Sequence, residues 1–147
     1  MDELERLVAL HKHWVAADSI NHHLRRSMKD SLPAGAPKEI AELGQMMSAF
    51  AALGVWYSLL YVVVEGYREL GYHDADVDTL LANDEYVTAL RLFRNATFHY
   101  QTDPLSPKLL GFLEAKDSET WIKELNHALK SFFERELKLD ELLQEGF

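Results

Sequence analysis

The chain contains no cysteine, so disulfides, thiolate-held metals and a cysteine nucleophile are excluded from its chemistry. Prolines are few and cluster at 33, 37, 104 and 107, which leaves long stretches free of residues that remove a backbone donor and break helices. Cations are outnumbered: 15 Lys and Arg stand against 24 Asp and Glu, a net charge of -9. That balance opposes nonspecific adherence to a long polyanion, so any contact with nucleic acid has to be local. The first residues, Met1-Asp2-Glu3-Leu4-Glu5-Arg6, are acidic and amphipathic rather than basic and then apolar. They carry no export signal, and a cytoplasmic location is expected. No period-two strand pattern occurs, and 147 residues suit a single domain over 1–147.

Helical periodicity fills the rest. Leu4, Leu7, Leu10, Trp14, Ala17, Asn21, Leu24 and Met28 recur at steps of three and four, which predicts a helix over about residues 3–29 packed along one seam. Asn21 interrupts that seam, and a buried amide either fixes register, the favoured reading, or lines a polar cavity. His11, Asp18 and His22 share a flanking face where a metal site can be imagined, but a solvated face fits them better. Pro33, Gly35 and Pro37 mark a loop.

A second helix is expected from Lys38 to Leu70, and no charge occurs between Gly44 and Val64. That run is long enough for a bilayer, yet Gln45, Ser48 and Ser58 dilute it and no basic flank follows, so a membrane span is rejected. Its apolar residues form two seams instead. One runs through Leu43, Met47, Phe50, Gly54, Tyr57, Tyr61 and Val64, the other through Met46, Leu53, Trp56, Leu60, Val63, Tyr67 and Leu70. A helix apolar on two faces is central or forms an interface. A homodimer is therefore expected.

Asp74, Asp76, Asp78 and Glu85 fall where an EF-hand loop has ligands, but Thr79 stands where the sharp turn needs glycine. A short capped helix over 77–81 is the better reading, and neither a metal nor another cofactor is expected. Asn83 or Asp84 can cap the next helix, with Tyr86, Leu90, Phe93 and Thr97 on its seam. Ser106-Pro107 opens a short helix to about Ala115, and Asp117 or Ser118 caps a last long helix buried through Ile122, Leu125, Leu129 and Phe132. The end from Lys138 is acidic and amphipathic. These patterns predict an all-α, up-and-down bundle of four long helices plus one or two short ones.

The chemistry gathers at Arg94, Asn95 and His99. A guanidinium grips phosphate oxygens with a planar fork, an amide orients, and an imidazole moves protons near neutrality. On a straight helix Asn95 and His99 lie about 40° apart but Arg94 and His99 about 140° apart. Convergence therefore needs the reach of the arginine, a helix that frays near His99, or a second copy of the motif. The plainer alternative is a solvated arginine and a capping or core histidine. Glu65 reaches Arg94 or His99 only if the two helices are neighbours, and reads first as a solvated helix end.

Arg94-Asn95-x-x-x-His99 resembles the R-x(4 to 6)-H motif of HEPN domains, and the aromatic and aliphatic run from Trp56 to Tyr67 looks like the long second helix of small bacterial members. The resemblance implies a metal-independent endoribonuclease, a toxin or antiphage component, in which two motifs face each other across a dimer. The ribose 2'-hydroxyl would attack the adjacent phosphate, with His99 as acid/base, Arg94 stabilising the phosphate and Asn95 orienting. The alternative within the family is a non-catalytic module that binds a nucleotide or a partner protein, such as an antitoxin or a separate nucleotidyltransferase.

Overall fold

The computed structural model describes residues 2–27, 35 and 37–144. Among these residues every regular element is a helix: α1 (Glu3–Ser27), α2 (Lys38–Glu69), α3 (Ala75–Leu81), α4 (Asp84–Phe98), α5 (Pro107–Leu113), α6 (Ser118–Glu136) and α7 (Leu139–Gln144). The long members α1, α2, α4 and α6 make an all-α helical bundle. The short helices are α3, α5 and α7, one more than the sequence led one to expect, because the acidic end beyond Lys138 coils into α7. Met28 and Pro33, expected at the end of the first helix and in the loop, lie outside the described residues.

Two glycines of α2 fix its register against its neighbours. A Cβ on Gly66 would sit 2.4 Å from Leu10 Cδ1, so α1 approaches α2 where no side chain intervenes. On the α4 side, a Cβ on Gly54 would meet Thr97 at 3.7 Å. Both neighbours run antiparallel to α2. Counting residue for residue from these contacts, Ser27 comes opposite about residue 49 and His99 opposite about residue 52.

By this count, and among the described residues, residues 38–48 of α2 extend past the ends of both partners. The two apolar seams change character along the helix: Ile40, Leu43, Met46 and Met47 are all more than half exposed, and Phe50 is 42% exposed. The seams are buried only from Gly54 onward, where Trp56, Tyr57, Leu60, Val63, Val64 and Tyr67 enter the core. By length and composition α2 could cross a membrane, and 44% of its most apolar window is instead buried inside the bundle.

An aromatic chain fills the interior. Tyr57, Phe93 and Phe112 meet with centroids 5.4–5.9 Å apart, and Tyr67, Phe132 and Phe133 continue the line at 5.1–5.4 Å. The expected stripe of α6 is in place, with Ile122, Leu125, Leu129 and Phe132 buried. His11 does not lie on a solvated face as expected: it stacks on Trp14 and packs against Phe133, and burial pushes its pKa down. Asp18 pairs with His22 at 3.1 Å, and among the described residues no group of metal-binding side chains forms.

The acidic segment before α4 is a cap. Asp74 accepts from the backbone N–H groups of Asp76 and Val77, which starts α3, and it also pairs with Arg135 of α6. The Tyr67 hydroxyl donates to Asp78 at 2.7 Å and accepts from Asp74 N–H at 2.6 Å. Asn83 caps α4 through Tyr86 N–H. Ser106 and Asp117 stand at the N-termini of α5 and α6 but make no side-chain cap bond there, contrary to expectation.

Candidate functional site

Arg94 reaches from α4 along α2 and enters a prepared seat. Its Nη2 donates to Glu65 Oε1 at 3.0 Å, and its guanidinium carbon lies 5.1 Å from the Tyr61 ring centroid. Tyr61 and Glu65 stand one turn apart on the same stripe of α2, so one face holds an aromatic plane and the next turn an anion. Glu65 is therefore no free helix end. The Nε–H of Arg94 is buried without a partner, so one arm of the fork still lacks an acceptor.

The charge around this seat is mostly positive. Burial first, then the Glu65 carboxylate, raises the Tyr61 phenol above its ordinary 10, while Arg91, Arg94 and Arg68 pull it the other way. Arg68 is held by the Leu81 carbonyl at 3.2 Å. Arg91 is exposed and has no ion pair among the described residues. A local cationic patch thus exists in a chain whose overall charge is -9, as a local contact with phosphate demands.

His99 is released from α4. The helix ends at Phe98, and His99 takes extended backbone angles, φ -111 and ψ 142, with its N–H on the Asn95 carbonyl. Its exposed side chain borders a small cavity of about 290 Å³ that also touches Phe50, Gly54, Thr97 and Asp103. The 140° separation on a straight helix no longer applies. Asn95 is half-buried between them and makes no side-chain hydrogen bond among the described residues.

Arg94 meets α2 at Tyr61 and Glu65, whereas the cavity beside His99 meets it at Phe50, Ala51 and Gly54. Seven residues separate the nearer members of these sets, about 10 Å of helix rise. One chain therefore holds the guanidinium and the imidazole at neighbouring stations rather than on one reacting atom. Tyr61, Arg68, Arg91 and Asp103 were not singled out from the sequence as parts of the site. The signal for the first two was present, since Tyr61, Glu65 and Arg68 recur at helical spacing on one stripe. Asp103 joins only through the turn after α4, which no periodicity encodes. Searches with this chain against protein-family models, curated proteins and solved structures return no match, so the likeness to HEPN domains rests on the residues named above.

Proposed function

We propose that this protein is a HEPN-like, metal-independent endoribonuclease that works as a homodimer. The observation that supports this best is the seat of Arg94, a guanidinium with an unsatisfied Nε–H, stacked on Tyr61 near Arg91, which has no ion pair among the described residues, on the helix whose end frees His99. In the proposed reaction the ribose 2'-oxygen attacks the adjacent phosphorus and the bond to the 5'-oxygen breaks, leaving a 2',3'-cyclic phosphate and a 5'-hydroxyl. His99 accepts the 2'-hydroxyl proton, and a protonated imidazole returns one to the departing oxygen. Arg94 neutralises the crowded phosphate, and Asn95, whose amide makes no side-chain hydrogen bond among the described residues, orients it. Because one chain keeps Arg94 and His99 apart, the second copy supplies the complementary group, and the exposed apolar face of α2 is the surface through which two copies meet.

A second reading is favoured by one contact. The Glu65–Arg94 ion pair already satisfies part of the guanidinium, as a non-catalytic module that binds a nucleotide, or an antitoxin or nucleotidyltransferase partner, would tolerate. Single-turnover cleavage of an RNA and of its copy with a 2'-deoxy residue at the cut separates the two readings. The enzyme cuts the first and spares the second, keeps its rate in EDTA, and loses a factor on the order of 10² to 10⁴ in His99→Ala. Arg94→Lys also fails, because the planar fork is gone although the charge stays. Equal cutting of both substrates, or a fully active His99→Ala, refutes the enzyme.

A further inference from the structure

A cavity of about 780 Å³ lies away from the Arg94 seat, between α1, α2 and the start of α6. Its size is that of small-molecule sites, which usually span about 300 to 1,000 Å³. The walls are apolar, with Leu24, Leu53 and Leu113 among them. Trp56, Tyr57 and Ser118 also border it, and each is at least nine-tenths buried. None of the three has a side-chain hydrogen bond among the described residues, and the Trp56 indole N–H is fully shielded from solvent without a partner. Buried polar groups are normally satisfied, so a shielded indole N–H without an acceptor, on a residue that borders the cavity, is an exception that needs a reason.

The rim supplies the sign of charge. Asn21 is buried, and its Oδ1 accepts from Arg25 Nε at 3.2 Å, so the amide in the α1 seam lines a cavity and anchors a guanidinium rather than only setting register. Arg25 has no carboxylate partner among the described residues. Lys123, the other cation at the rim, is occupied by Glu119 at 2.6 Å. Burial, then the nearby Glu119, raises the Tyr57 phenol to about 12, so it remains a neutral donor at any physiological pH.

We propose that this cavity binds a small amphipathic carboxylate, its apolar body against Leu53, Trp56 and Leu113 and its carboxylate on the Arg25 guanidinium that Asn21 holds in place. The carboxylate is the specific element, because a guanidinium fork matches two carboxylate oxygens and discriminates against a neutral amide of equal shape. This inference does not depend on ribonuclease activity.

The test uses the intact protein and two isosteric probes, 2-naphthoate and the neutral 2-naphthamide, titrated calorimetrically. Naphthoate binds saturably at one per chain and more tightly than naphthamide. Arg25→Gln, an exposed substitution that leaves the core untouched, weakens naphthoate by at least about tenfold, the scale of a lost charged hydrogen bond, and changes naphthamide less than about twofold. Ala49→Trp, which fills the cavity from α2, removes both, with circular dichroism to confirm folding. Absence of saturable naphthoate binding at millimolar concentration overturns the proposal, as does an Arg25→Gln variant that binds naphthoate as well as wild type or loses both probes equally.

Discussion

Glu65→Gln separates the two possible meanings of the Arg94 seat. The Glu65 and Arg94 side chains are 44% and 26% exposed, so their ion pair belongs with solvent-screened pairs worth about 0.2–1 kcal/mol. Glutamine keeps an amide oxygen for Arg94 Nη2, and the variant should lose less than about 1 kcal/mol, or about 2–4 °C in Tm for a domain of this size. If phosphate is the natural partner of Arg94, the carboxylate is a competitor that must be displaced, and removing it returns that same free energy to binding. The affinity for a short single-stranded RNA then rises up to about fivefold. Fluorescence anisotropy in a His99→Ala background, which prevents cleavage, measures it at low and moderate salt. Glu69→Gln on the same helix is the control, since Glu69 is exposed and makes no ion pair among the described residues. It removes the same charge without touching Arg94. The reasoning is refuted if Glu65→Gln binds no more tightly than the Glu69→Gln control. It is refuted equally by a loss of more than about 2 kcal/mol in urea unfolding, which would make the pair a structural strut.

Three other outcomes follow from the packing. Light scattering at micromolar concentration should show a dimer, and Met47→Glu, which charges the overhanging face of α2, should return a folded monomer with no RNA cleavage. Phe132→Ala, which removes a fully buried ring between Tyr67 and Phe133, should cost about 3–5 kcal/mol in chemical unfolding. Tyr67→Phe deletes a donor to Asp78 and an acceptor for Asp74 N–H, a loss of about 1–3 kcal/mol at neutral pH. Its cost should depend on acid. The Tyr67 hydrogen bond comes first among the causes that hold the Asp78 carboxyl below its ordinary 3.8. That contribution is present above 3.8 and disappears as pH falls through the lower folded-state value. Urea midpoints at pH 7 and pH 3 should thus show the gap between wild type and Tyr67→Phe narrowing in acid, and an unchanged gap would rule out the charged bond as its source.

Helix type and core face were readable because they depend on local periodicity: the α6 stripe at Ile122, Leu125, Leu129 and Phe132 is buried as its spacing required. The short helix expected over 77–81 is present but starts two residues earlier, at Ala75, with Asp74 as its cap. What the sequence left open depends on distant register. The same apolar pattern continues through Leu43, Met46 and Met47, yet these side chains are exposed, because burial needs a neighbour opposite and α1 and α4 end before reaching them. Glu65 was misread for that reason too: its partner is 29 positions away and becomes a neighbour only once Gly54 and Gly66 have set the helix spacing. His11 looked solvated because its face is polar, and the aromatic pair that covers it comes partly from α6.

The overhang of α2 gives the molecule a mechanical property. From Lys38 to Glu69 the helix has no proline and no break, so bending or twisting is resisted along its whole length. From Leu43 on the free arm to Glu65 at the Arg94 seat is about 33 Å of one continuous shaft. Whatever grips the arm also fixes the azimuth of Glu65 and Tyr61, since no hinge lies between them to absorb a rotation. A rotation of about 20° at the arm would carry Glu65 sideways by roughly 2 Å at its side-chain radius, enough to break a 3.0 Å ion pair. Attachment at one end is thus coupled to the setting of the arginine at the other through one unbroken helix, with the core contacts at Gly54 and Gly66 opposing the rotation.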